Sequence, residues 1–409
     1  MASSSASQPQ AITLHFQNVG RVAGETLEGH VDLNVALAQE DHIEHLRIKL
    51  RGSIVTTITT SNGQTTVTHK QTILLIHSNK SLWTQGSTFP EPGSHVLSCP
   101  FQFQLPENLP PSFHGSAYHR RAAISYSLEV VGDRPGLFRL NRRIRRLISV
   151  LPAASRSQLL AAESLRQGWT GEWHDIVRDE KLRQGIWGDY SHAKVTLTIP
   201  KTRAFPVATP IPFTLHVVTQ TKPLPRSDRP EDKHGMPLFP APPAMSSNVK
   251  LQLRRDTELR VRGRVRRVED VFDLRGSLGD VTRVAAVRMV VDEPTWAPQD
   301  TKDRGIWTRA VHFESALALP YAPTYSTETV DWKYTLRIVV PFPGLGNDLK
   351  LELPVWLDPA AACPPPPIGV AGGACLTYAD VLPAGPPPMQ DLPPSYWAGE
   401  DHDWDDEKS

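Results

Sequence analysis

Apolar and polar residues alternate with a period of two through most of the chain from Ile12 to Leu357, the pattern of strands with one buried and one wet face. Val31, Leu33, Val35 and Leu37 carry it first, then Leu46, Ile48 and Leu50 between Arg47, Lys49 and Arg51, then Ile124, Tyr126, Leu128 and Val130. It returns at Val249, Leu251 and Leu253, along Trp332, Tyr334, Leu336, Ile338 and Val340, and along Leu349, Leu351, Leu353, Val355 and Leu357. Antiparallel sheets covered on one side have this pattern. Between two Thr-rich, β-branched runs lies Ser61-Asn62-Gly63-Gln64, where Asn-Gly supplies the positive φ angles of a tight turn and predicts a long hairpin. Helical periodicity is scarce, and Gln158 to Leu165 is the one helix-like stretch.

The two halves align by strand pattern. Val31–Leu37 falls on Pro212–Val218, Leu46–Leu50 on Val249–Leu253, and Tyr126 on Tyr334. The offset widens between the first two matches, which places an insertion there. Thr221 to Ser247 fills it, with seven prolines in 27 residues and little periodicity, and is expected as a solvated loop. The reading is an all-β chain of two tandem β-sandwich domains, at 11–154 and 191–358. A hinge or linker at 155–190 joins them, carrying Trp169, Trp173 and Trp187. Residues 1–10 are expected to be disordered, and so is 359–409, where 11 prolines in 51 residues lead to an acidic end.

Composition narrows the function classes. Across 409 residues, 44 Lys and Arg balance 43 Asp and Glu, and a net charge of +1 gives no field to draw nucleic acid. Three cysteines, Cys99, Cys363 and Cys375, fit a reducing compartment better than a disulfide-stapled fold. Met1–Gln10 lacks the apolar core of a secretory signal, and no apolar run approaches the roughly 18 residues of a spanning helix. A soluble, cytoplasmic protein is expected.

The N-terminal strands resemble a known family. The Ile12–Asn18 opening, Gly29-His30-Val31-Asp32-Leu33, Leu46–Gly52, and above all Leu105-Pro106-Glu107-Asn108-Leu109-Pro110-Pro111-Ser112-Phe113 followed by Ile124-Ser125-Tyr126-Ser127-Leu128 are similar to the arrestin N-terminal domain of the α-arrestins, the arrestin-related trafficking adaptors. Pro320–Tyr325, Lys333–Val340 and Leu353-Pro354-Val355 resemble the matching C-domain ending, with Thr324-Tyr325 in place of the more usual Ser-Phe. The resemblance implies two seven-stranded, immunoglobulin-like sandwiches joined by a hinge. It also implies a role for Pro393, Pro394, Ser395 and Tyr396, which fit the PPxY motif by which this family recruits WW-domain ubiquitin ligases of the HECT type. Prolines pre-set a polyproline II backbone and lay flat rings into an aromatic groove, while tyrosine fills the next pocket. Pro386–Pro388 and Pro364–Pro367 lead to no such tyrosine, so a single site without avidity is expected.

The remaining candidates are charged. Arg254, Arg255, Arg260, Arg262, Arg264 and Arg266 form a candidate patch for anionic lipid or phosphorylated cargo, against the plainer reading of a solvated strand face. Arg142, Arg143, Arg145 and Arg146 form a second cluster. His42, Glu44 and His45 read as turn residues, and Cys363 with Cys375 as tail residues. No catalytic constellation, metal centre, cofactor or small-molecule substrate is expected. The leading expectation is an adaptor that holds cytosolic parts of a membrane transporter or receptor beside a HECT-type ligase, at the plasma membrane or endosomes. The alternative is a signalling or sorting scaffold without ligase recruitment, and a β-sandwich enzyme is a remote third.

Overall fold

The computed structural model describes residues 10–61, 63–117, 119–136, 139–183, 190–231, 235–299 and 303–363. Its first unit contains β1 (Ile12–Phe16), β2 (Arg21–Val22), β3 (Thr26–Asn34), helix α1 (Val35–Glu40), β4 (His45–Ser61), β5 (Thr66–Thr84), β6 (Val96–Gln104), β7 (Phe113–Ala117), β8 (Arg120–Asp133), β9 (Arg142–Ile148) and β10 (Val150–Leu151). Helix α2 (Arg156–Arg166) follows. The second unit contains β11 (Trp173–Arg183), β12 (Tyr190–Pro200), β13 (Phe205–Pro206), β14 (Ile211–Gln220), β15 (Leu224–Pro225), β16 (Lys250–Val261), β17 (Arg264–Asp273), β18 (Arg288–Val291), β19 (Thr295–Pro298), β20 (Arg304–Leu317), β21 (Tyr325–Ser326), β22 (Val330–Val340), β23 (Leu349–Val355) and β24 (Leu357–Asp358).

The two units have the same pairing plan. In the first, one sheet runs β1-β3-β6, the other runs β5-β4-β8 with β7 and β9 both on β8, and β2 pairs parallel with β10. In the second, β12-β14-β20 repeats the three-stranded order, and β17-β16-β22 with β21 and β23 on β22 repeats the other sheet. The β13–β24 pair repeats the parallel closure. The additions are β11 at one edge and β15, β18 and β19 on β20. The chain is therefore all-β, two tandem arrestin-like sandwiches built on one plan.

Burial follows the alternation. Leu46, Ile48, Leu50, Ile124, Leu128 and Val130 are fully buried in the first unit, as are Val249, Leu253, Trp332 and Val340 in the second. Tyr126 and Tyr334, each buried in the middle of its sheet, play one part twice. The Tyr126 hydroxyl donates to the Pro110 carbonyl at 2.7 Å and the Tyr334 hydroxyl to the Ala322 carbonyl at 3.0 Å. A phenol can enter a core because its O–H finds a buried partner. The long β4–β5 hairpin forms, with Gly63 at φ +86° just before β5.

Four local outcomes differ from the sequence reading. The strand expected through Leu37 ends at Asn34, whose side chain accepts from the Leu37 N–H and starts α1 as an N-cap. Trp173–Arg183, inside the expected linker, pairs along its whole length with β12 as an edge strand. Only Leu182 is buried, with Ile176 and Glu180 half-buried on the same face, so hydrogen bonding makes a strand that hydrophobic period barely announces. Upstream, α2 forms where helix was expected, with a capping box between Ser155 and Gln158. The Pro-rich loop is tied down rather than simply solvated, because Trp307 Nε1 donates to Asp228 O and Arg309 to Pro230 O. The expected tail also begins later than residue 359: Ala154 N donates to Ala361 O at 2.8 Å, so 359–363 returns along the first unit. Trp187, Cys375 and the motif Pro393–Tyr396 lie outside the described residues.

Candidate functional site

The two sandwiches meet through aromatic rings. Phe113 of β7 and Trp332 of β22, both fully buried, stack with centroids 4.2 Å apart and planes 10° from parallel. Arg255 sits against them, its guanidinium 4.8 Å from the Phe113 ring and 5.1 Å from the Phe272 ring. It donates to Asp270 from Nε at 3.2 Å and Nη2 at 2.9 Å. A buried cation is tolerated here because the Asp270 carboxylate and two ring faces stand in for water. Around this centre, Thr56 Oγ1 donates to Thr329 Oγ1 at 3.1 Å, Gln71 Nε2 to Glu328 Oε1 at 3.3 Å, and Arg120 Nη1 to Arg267 O at 2.6 Å.

This geometry corrects the arginine patch. Strand β16 buries Leu251, Leu253, Arg255, Thr257, Leu259 and Val261 on one face, so Arg255 has core parity and is only 3% exposed. Arg254 lies on the other face between Asp256 and Glu352, and Arg260 is engaged by Glu258 and Asp331. What stays open is the β16–β17 hairpin. Arg262 and Gly263 take positive φ angles of 47° and 75° at its turn, as a two-residue hairpin with matching twist requires. Arg262, Arg264 and Arg266 are exposed there and have no carboxylate partner among the described residues. Hydrogen bonds from Arg267 and Arg260 hold the Glu258 carboxyl below its ordinary range. Beside the hairpin, Lys70, Gln71 and Thr72 of β5 face Arg260, Arg262 and Glu328 across a groove of about 610 Å³ between the two units. Lys70 and Arg262 give it cationic character.

The second arginine cluster is largely committed to structure. Arg142 holds Asp41 through two contacts of 3.0 Å, which lowers the Asp41 carboxyl pKa. Arg143 and Arg51 each approach Glu129 at 3.7 Å. Arg145 is exposed at the surface, and the partial desolvation of its guanidinium by its neighbours lowers its pKa.

Strand pairing also assembles two histidine–carboxylate groups that sequence spacing did not suggest. His15 and His30 are cross-strand partners on β1 and β3, with Nε2 atoms 3.3 and 3.9 Å from the two oxygens of Asp32. His216 and His312 are cross-strand partners on β14 and β20, and His312 Nε2 lies 3.2 Å from Asp292. Burial, then the neighbouring His312, lowers the His216 pKa. Register, rather than sequence separation, brings these groups together, which is why no motif announces them. His42, by contrast, occupies a left-handed turn position at φ 57°.

The exit of the tail is placed as well. A Cβ built on Gly24 would meet Cys363 Sγ at 3.2 Å and Glu107 Cγ at 3.5 Å, so the last described residue packs against the first unit. Gly24 itself has φ +86°.

Residues 14–155 match the family model of the arrestin (or S-antigen) N-terminal domain. No curated protein matches the chain. The matched segment runs from β1 to the residue before α2, covering the first sandwich almost from end to end. With a second sandwich repeating its strand order, the chain is similar to the arrestins in architecture, and its first unit is the part that matches their N-terminal domain.

Proposed function

We propose that the chain is an arrestin-related adaptor of the α type. Its paired sandwiches hold the cytosolic part of a membrane transporter or receptor, and Pro393, Pro394, Ser395 and Tyr396 recruit a WW-domain ubiquitin ligase of the HECT class. Catalysis belongs to the ligase. The adaptor supplies proximity, turning the encounter between ligase and cargo lysine into an effectively intramolecular one. The action is cytoplasmic, at the plasma membrane or endosomes, and leads to ubiquitination, endocytosis and sorting of the cargo.

The observation that carries this reading is the arrestin N-terminal domain at 14–155 within a tandem sandwich, in one chain with Pro393-Pro394-Ser395-Tyr396. Twenty-nine residues lie between Cys363, packed at Gly24, and Pro393. Arg262, Arg264 and Arg266 at the open hairpin are the proposed contact with anionic lipid or phosphorylated cargo, since guanidinium forks suit phosphate oxygens. Titration of the full chain with an isolated WW domain tests the motif. Binding that Tyr396→Ala removes without changing the melting temperature is expected; unchanged affinity moves the reading to a scaffold that recruits no ligase.

A further inference from the structure

The outer face of the β12-β14-β20 sheet carries a histidine pair with an acid beside it. The imidazoles of His216 and His312 stack with centroids 3.9 Å apart and planes 9° from parallel. Asp292, one residue past β18, places Oδ2 3.2 Å from His312 Nε2. One donor atom from each of the three lies within 4.8 Å of the others.

One observation separates this group from an ordinary surface ion pair. His216 Nε2 is shut off from solvent and has no hydrogen-bond partner among the described residues, although buried imidazole nitrogens ordinarily find one. An electron-pair acceptor placed beside His312 and Asp292 would satisfy it. His312 Nε2 and Asp292 Oδ2, 3.2 Å apart, are hydrogen-bonded to each other, and an ion with bonds of about 2.0–2.2 Å would take the place of the proton between them. His312 and Asp292 are 39% and 49% exposed, so the His312 ring can turn out of the stack and converge its lone pair while His216 stays in place.

The geometry points to a site for a divalent transition-metal ion of the zinc type, held by His216, Asp292 and His312 with water completing its shell. Two imidazoles and one carboxylate exclude the all-oxygen preference of calcium and magnesium, and zinc tolerates a three-ligand site with an open position. Strand β18 has no counterpart in the first unit, so the ion would tie an addition peculiar to the second sandwich onto β14 and β20. The His15, His30 and Asp32 group differs, because both of its Nε2 atoms already face the carboxylate.

The test uses the untagged, chelator-stripped full chain carrying His15→Ala and His30→Ala, which removes the competing pair. Calorimetric titration with Zn²⁺ should give binding that His216→Ala and Asp292→Asn each weaken at least about tenfold. Zinc should raise the melting temperature of the parent and of neither variant. If His216→Ala lowers the metal-free melting temperature, His312→Gln supplies the loss of a ligand from an exposed position. No zinc binding by the parent, or equal affinity in parent and variants, would overturn the assignment.

Discussion

Phe113 of the first sandwich and Trp332 of the second stack face to face at 4.2 Å, so the two repeats are joined through the cores of both rather than by a linker alone. Arg255 closes the same joint by bridging the Phe113 and Phe272 rings while Asp270 holds its charge. A body made this way presents its two units as one piece, with the groove between Lys70 and Arg262 at their shared rim.

Truncating either ring should loosen that joint. Trp332→Ala and Phe113→Ala are each expected to destabilise by about 3–5 kcal/mol, the range for large buried aromatics. A double-mutant cycle read by urea unfolding should return about 0.5–1.5 kcal/mol of coupling for the stack itself. Strictly additive losses would mean the rings touch without contributing as a pair.

Arg255 and Asp270 should respond unequally. Asp270→Ala takes the Asp270 carboxylate away from a guanidinium with 4% side-chain exposure, and a loss of about 3–5 kcal/mol is expected. Arg255→Met keeps bulk between Phe113 and Phe272 and removes the buried charge, so its loss should be clearly smaller. Chemical denaturation of both variants measures the order; the reverse order would contradict the reading of Arg255 as a charge needing Asp270.

Acid should weaken the same region through His114 on β7. Burial first, then Arg121 and Arg255, holds its pKa below the ordinary imidazole value. The unfolded chain takes up a proton near pH 6.5 while the folded site does not, so this contribution to stability is full above about pH 7 and falls as pH drops through that value. Replacing His114 with Gln should flatten the decline in urea midpoint between about pH 7 and pH 5. Parallel curves for the two proteins would show that His114 carries none of it.

The Pro-rich loop should owe its protease resistance to Trp307. That indole donates to Asp228 O at 3.0 Å, beside the exposed Arg226. Trp307→Ala should therefore speed tryptic cleavage after Arg226 several-fold, followed by mass spectrometry of the first fragments. Equal rates would place the restraint elsewhere in Thr221–Ser247.

The fold was legible because β-sheet burial writes itself into alternate residues. The match of Tyr126 to Tyr334 by sequence offset alone places two phenols in the same role, each donating to a carbonyl upstream. The misses share a cause, which is that hydrophobic period reports only buried faces. Strand β11 has almost none, so Trp173–Arg183 read as linker. By charge Arg255 groups with its exposed neighbours, whereas its parity with Leu253, Thr257 and Leu259 on one face of β16 marks it as inward. His216 and His312 come from separate strands and Asp292 from the residue after β18, and a register that pairs β14 with β20 is not written locally in either one.

The central claim is that this arrestin-like body couples a cargo to a ubiquitin ligase through Tyr396. Affinity purification from the native cell, with wild-type and Tyr396→Ala protein compared by quantitative mass spectrometry, tests it most directly. The account predicts a WW-domain HECT ligase and a membrane transporter or receptor with the wild type, and with the variant the same membrane protein without the ligase and with fewer ubiquitin remnants. Equal recovery of the ligase with both proteins, or recovery of no membrane protein with either, would contradict it.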